Sequence, residues 1–168
     1  MGVPQRRERV FFIAFRKDLA EPFLEAKDMF TMAPRLNLEF EEKKITFGEF
    51  YQEGVDDRPA GRGKMYDYWN LKKDGDKSFC DALMRESNRQ SSFNNVYLYK
   101  NDVAPTYTAN SDCIYLFDEY RKPNKFESCC IGSYPQDYDF CKSQYHYLIG
   151  MSVPPIMTAQ IAKQVYEQ

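Results

Sequence analysis

Six consecutive apolar residues, Val10 to Phe15, stand between Arg9 and Arg16 with no polar position among them. An unbroken run of that length suits a strand covered on both faces, so it predicts neighbouring strands and helices to cover it. Ala20 to Phe30 instead puts Phe23, Ala26, Met29 and Phe30 on one helical face, with Pro22 near the start, which predicts a short amphipathic helix. From Asn37 to Tyr51 charge is mixed with β-branched and aromatic residues, and a short strand is expected there. Gly54 to Gly63 holds three glycines and a proline among charges and reads as a loop. Lys64 to Asn70 and Val96 to Tyr99 read as strands or strand edges, separated by the polar stretch Ser87 to Asn95. Val103 to Tyr115 reads as a turn that leads into a strand. The tail is the sharpest pattern. Met157, Ile161 and Val165 recur at four-residue intervals with Ala162 beside them, which predicts an amphipathic C-terminal helix. Pro154 and Pro155 sit at its entrance, where a missing N–H costs nothing.

Composition narrows the class. With 43% apolar and 29% charged residues in 168, the chain has material for one globular, soluble domain with its own core. No segment approaches the roughly 20 apolar residues that span a bilayer. Met1 to Gln5 lacks the form of a signal peptide, so a cytoplasmic location is expected. A net charge of −2 does not mark a general nucleic-acid binder, so any contact with DNA must rest on local basic clusters. The five cysteines (Cys80, Cys113, Cys129, Cys130 and Cys141) form no CxxC pair and read as reduced thiols. One histidine, His146, cannot supply several ligands, so no metal is expected. Thirteen Tyr, thirteen Phe and one Trp suit a core or a base-stacking surface equally.

Three separated stretches carry candidate chemistry. Gln5, Arg7 and Arg9 fall on one face of an extended segment, so three long polar donors converge on one place. Two neighbouring guanidiniums attract a phosphate or a polar base edge and repel each other when nothing lies between them. A solvated basic strand edge is the plainer alternative. The second stretch runs Arg121-Lys122-Pro123-Asn124-Lys125-Phe126-Glu127 and continues to Tyr134, Pro135 and Tyr138. The third is Gly150-Met151-Ser152-Val153-Pro154-Pro155. In this order and spacing they resemble the last three conserved blocks of DNA (cytosine-5) methyltransferases: Q-x-R-x-R, then R-x-L-T-x-x-E with F/Y-P-x-x-Y, then G-N-S-V-P-P. Pro123 stands where the family has leucine, Cys130 where arginine is common, and Met151 where it has asparagine.

The resemblance implies an enzyme that moves a methyl group from S-adenosylmethionine to C5 of cytosine in a specific sequence of double-stranded DNA. It implies that Arg9 bonds the oxygen of the everted cytosine, with Arg7 on the nearby phosphate and Gln5 beside them. Gly150, Ser152 and Val153 would line part of the cofactor pocket, while Arg121, Glu127 and Pro135 would be structural. Residues 65–75 and 104–109 look like landmarks of the variable target-recognition domain, whose loops read base edges. Polar candidates there are Arg85, Asn88, Arg89, Gln90, Asn94, Asn95, Thr108, Asn110 and Ser111.

The implied fold is mixed, α+β. A C-terminal strand and helix of a Rossmann-like methyltransferase domain would flank a small, mostly β target-recognition domain. Residues 1–20 would be the last strand of the catalytic domain, 21–145 the recognition domain with its linker, and 146–168 the cofactor-side turn and returning helix. The family's chemistry needs a cysteine after proline, a Glu-Asn-Val segment and an F-x-G-x-G turn. None of these occurs in the 168 residues. The chain is therefore expected to be inactive alone and to work with a second polypeptide, or an N-terminal segment, that bears those blocks. A bacterial or phage-like setting is implied with it. A non-catalytic DNA-binding module derived from such an enzyme, or a decayed remnant, are the alternatives.

Overall fold

The computed structural model describes residues 1–20, 38–87, 94–110 and 113–167. The helix expected from Ala20 to Phe30 lies outside them beyond its first residue, as do Asn88, Arg89, Gln90 and Ser111.

After a 3-10 turn at Phe47–Glu49 come helices α1 (Lys64–Asn70) and α2 (Phe79–Ser87), strands β1 (Val96–Leu98) and β2 (Ile114–Leu116), and helices α3 (Lys125–Gly132), α4 (Tyr145–Met151) and α5 (Pro155–Glu167). The architecture is α+β. β1 and β2 pair in parallel with Val96 opposite Ile114, Tyr97 opposite Tyr115 and Leu98 opposite Leu116. A parallel pair cannot be closed by a tight hairpin, and residues 99–110 are the described part of the crossover between the two strands. An antiparallel bridge joins Ser78 to Val96, with Tyr97 N–H donating to Lys77 C=O and Phe79 N–H to Asn95 C=O, both at 3.0 Å.

Side-chain alternation along this short sheet sorts the core into two clusters. Leu98, Ile114 and Leu116 point to one face, where they meet Phe47, Ala104, Tyr107, Ile131, Phe140 and Ile149. Tyr97 and Tyr115 point to the other, where they meet Phe79 and Trp69. All three β2 residues are buried, as a strand covered on both faces requires. The Trp69 indole N–H, too costly to bury unpaired, donates to Leu116 C=O at 2.8 Å.

Helix α3 starts in a reciprocal cap. Glu127 N–H donates to the Asn124 side chain at 2.8 Å, and Asn124 N–H donates to the Glu127 carboxylate at 2.9 Å. The helix stops at Ser133, which takes the left-handed conformation with φ 56°. Gly132 lets α4 approach closely, because a Cβ there would lie 2.5 Å from Ile149 Cγ2. The C-terminal helix forms as its spacing predicts, with Met157 and Ile161 buried and Val165 half-buried.

Three expected strands do not form. Lys64 to Asn70 is helical: Gly63 caps it in an extended conformation, and Tyr66 and Trp69, one turn apart, stack at 6.2 Å between ring centroids. Across residues 38–51 the only regular structure is the 3-10 turn, whose N–H groups at Phe47 and Gly48 donate to Asp102 and Lys100 C=O at 2.9 and 2.7 Å. Bonding to that loop replaces a strand ladder. Val10 to Phe15 has no ladder partner among the described residues, and Val10 and Phe12 are 81% and 95% exposed. The expectation of a mostly β recognition region is corrected with them, since helix exceeds strand among the described residues.

Candidate nucleic-acid interface

The segment before Val10 runs beside the crossover in an extended form. Gln5 bridges Ala104 in parallel, Arg6 N–H donates to Ala104 C=O at 2.8 Å, and the Thr106 hydroxyl donates to Arg6 C=O. Extended backbone alternates its side chains, so Gln5 and Arg7 turn inward while Arg6 and Glu8 face out. Arg6 pairs outside with Asp102.

Gln5 spends its amide on two distant partners. It donates to Ile131 C=O at 2.9 Å and accepts from Tyr107 N–H at 3.2 Å. The Arg7 guanidinium, 8% exposed, donates through Nη1 to Tyr107 C=O at 2.6 Å. Through Nη2 it donates to Gly150 and Ser152 C=O at 3.0 and 2.6 Å. Its Nε is buried without a partner among the described residues. Burial, and then the adjacent charge of Arg9, pull the Arg7 guanidinium below the ordinary arginine value. Arginine starts so high that it stays charged regardless.

Arg9 has the parity of Gln5 and Arg7 but lies beyond the cover that buries them. It is exposed and, among the described residues, donates only to its neighbour's carbonyl, Glu8 C=O, at 2.7 Å. Arg6, Arg7, Glu8, Arg9 and Thr106 line a cleft of about 500 Å³ whose charge is predominantly positive. Such a cleft suits an anion, and a phosphodiester is the anion that arginine forks match best.

Tyr107 is the residue that sequence reasoning missed. It is fully buried, its N–H and C=O serve Gln5 and Arg7, and its hydroxyl meets Ser128 Oγ at 2.9 Å. Its one signal was a large aromatic between two threonines, in a stretch that also holds Ala104, Pro105 and Ala109, which is weak. The neighbouring Thr108 and Asn110 remain exposed. Gly150 explains how α4 reaches this stretch: a Cβ there would fall 2.1 Å from both C and O of Thr108.

The remaining candidates are dispersed. Arg85 is held by Asp76 at 2.7 Å, Leu71 C=O at 2.6 Å and Glu86 at 3.1 Å, and so is engaged within the chain. Asn95 is buried, with its amide 3.3 Å from Met65 Sδ. Arg121 and Glu127 form a fork-to-fork pair at 2.7 and 2.8 Å, 2% and 0% exposed, which also binds Gln52 through its N–H and C=O. Pro135 is exposed, beside a ring cluster of Tyr134, Tyr138 and Phe140.

At the Gly150 turn the polar groups are already used. Arg7 takes both carbonyls, the Ser152 hydroxyl donates to Ile149 C=O at 2.9 Å and the Ser152 N–H to Leu148 C=O at 3.1 Å. Met151 and Val153, 63% and 39% exposed, are what the turn presents outward. That is an apolar edge. These residues do not by themselves form a pocket for a charged sulfonium cofactor. Burial pushes the Cys129 and Cys130 thiols up, the opposite of what a nucleophile needs. No metal-holding cluster occurs among the described residues, and no helix among them is long and apolar enough to cross a membrane.

A family model described as C-5 cytosine-specific DNA methylase matches residues 1–167. No curated protein and no solved structure matches the chain.

Proposed function

The chain belongs to the C-5 cytosine-specific DNA methylase family, and from that premise we propose that it is the DNA-recognition and C-terminal portion of such an enzyme. The observation that carries the reading is the bonding of Arg7 to Gly150 and Ser152 C=O, which unites two stretches 143 and 145 residues apart in one wall. Arg9 lines the cleft beside Arg7, Thr108 packs its backbone against Gly150, and Arg9, Thr108 and Asn110 are all exposed. In the proposed reading Arg9 meets the everted cytosine or its phosphate, because C5 chemistry requires the base outside the stack. S-adenosylmethionine, the cofactor the family uses, would supply the methyl group. This chain's own contribution to its site is limited to the apolar edge of Met151 and Val153.

The thiolate and the cofactor turn would come from another polypeptide or segment carrying Pro-Cys and Glu-Asn-Val blocks. Val10, Phe12 and Ile13 stand exposed in a run, and such a patch is the kind that marks a covered interface. The test is reconstitution. This chain is mixed with a separately expressed fragment bearing those blocks, and methyl transfer to duplex DNA is followed. Transfer that appears only in the mixture supports the reading. Salt-sensitive DNA binding by the chain alone, with no transfer alongside any folded partner, would favour a non-catalytic DNA-binding module instead.

A further inference from the structure

Gln5 and Arg7 sit in the stretch that resemblance assigns to DNA contact, yet the Gln5 amide and both Arg7 Nη groups bond within the chain. Arg7 reaches three backbone carbonyls from two nitrogens, Tyr107 from Nη1 and Gly150 and Ser152 from Nη2. Gln5 holds both Tyr107 N–H and Ile131 C=O. Tyr107 and Gly150 accept these bonds in buried surroundings, so removing the guanidinium would take away the donors that pair their carbonyls there. A second feature points to the same joint. The Thr108–Ala109 backbone lies so close to α4 that only glycine fits at position 150. The exposed Thr108 follows directly on the clamped Tyr107, and Asn110 comes two residues later.

We infer that Gln5 and Arg7 are positioning residues: they lock the Thr108–Asn110 segment to the Gly150–Ser152 turn, so that Arg9 alone of the triplet is left to meet DNA. The inference rests on the proposed DNA-recognition role, and it changes what each arginine does within it. Lysine distinguishes the two roles. Its ammonium keeps the charge that a phosphate would feel, but a single nitrogen cannot meet acceptors that Arg7 reaches from two. An arginine that contacts phosphate is therefore rescued by lysine, and one that clamps is not.

Two measurements on the whole chain test this. The first is backbone hydrogen exchange without DNA. Arg7→Lys and Arg7→Gln are both expected to speed exchange at 104–109 and at 150–153 by roughly tenfold or more, while α2 is unchanged. If Arg7→Lys restores protection, or only one of the two segments responds, the inference is overturned. Should the variants fail to fold, exchange of the unaltered chain in rising denaturant decides: the two segments must open together, and separate openings overturn it.

The second measurement is DNA affinity against salt. Arg9→Gln should reduce the slope of log K on log salt by about 0.9, the value for one phosphate contact. Arg7→Lys should weaken binding with the slope unchanged. A slope lowered by Arg7→Gln and restored by Arg7→Lys would make Arg7 a phosphate ligand and overturn the inference. If the unaltered chain binds no DNA either alone or mixed with the fragment bearing the missing blocks, the DNA-recognition reading fails, and the exchange result still judges the clamp.

Discussion

Replacing Gly150 by alanine tests the joint at its tightest point. The added Cβ would stand 2.1 Å from Thr108 C and O and 2.3 Å from Ala109 N. Ordinary contact between carbon atoms begins at about 3.5 Å, so the two backbones must part by roughly an ångström or more. The obstacles are main-chain atoms, which cannot rotate aside as a side chain would. Overpacking of a filled core costs about 1–3 kcal/mol, and this site belongs at the upper end. Displacing α4 also stretches the Arg7 bond to Gly150 C=O, a bond from a charged donor of the kind worth about 1.5–3 kcal/mol. The expected loss is therefore about 3 kcal/mol or more, a large part of the 5–15 kcal/mol that holds a typical domain. Urea unfolding with a constant m-value measures it, and heating should show a fall in Tm of about 2–4 °C per kcal/mol. Gly61→Ala is the control, since nothing lies within 4 Å of a Cβ built there. A Gly150→Ala variant within about 0.5 kcal/mol of the parent would refute the packing argument, because that is the range of an ordinary surface change.

Three further outcomes are expected. Glu127→Gln removes the counter-charge from a guanidinium buried beside it and should cost about 3–5 kcal/mol in urea unfolding; a loss below about 1 kcal/mol would contradict the pairing. Tyr97→Phe should leave stability unchanged or raise it by about 1 kcal/mol, because the Tyr97 hydroxyl is buried with no partner among the described residues; a clear loss would reveal one. Burial raises the Asp76 carboxyl, but bonds from Arg85 and from Lys73 N–H outweigh it and hold the group below its ordinary 3.8. A depressed carboxyl contributes stability that is complete above the unfolded value of about 3.9 and is lost as pH falls through the folded one. Asp76→Asn should thus be less stable than the parent at neutral pH, and the gap should close as acid is added below about pH 4; a gap independent of pH would refute the linkage.

The parts of the molecule legible in the sequence were those fixed by local rules. Met157, Ile161 and Val165 needed only helical spacing after two prolines. Val96 to Tyr99 was short, apolar and bounded by polar residues. Proximity of the Gln5–Arg9 stretch to the Gly150 turn was expected from resemblance, and no periodicity could have given it. Lys64 to Asn70 misled because Tyr and Trp favour strands by propensity, and seven residues are too few for a helical period to outweigh that. Val10 to Phe15 is a different case: apolar residues can demand a cover without stating where it comes from. A sequence shows the charge of Arg7 and not the direction in which its side chain turns. Extended alternation put it inside, and only the fold supplied the three carbonyls that make an interior guanidinium tolerable.

The partners of Gln5 and Arg7 lie between 100 and 145 positions further along the chain. Contacts of such separation form late, since the closure entropy of nearly the whole polypeptide must be met before any bond rewards it. During synthesis the stretch around Arg7 must therefore wait, charged and unattached, until residues 131, 150 and 152 have emerged and α3 and α4 have come together. A chain terminated before Gly150 would lack two of the three carbonyls that Arg7 meets.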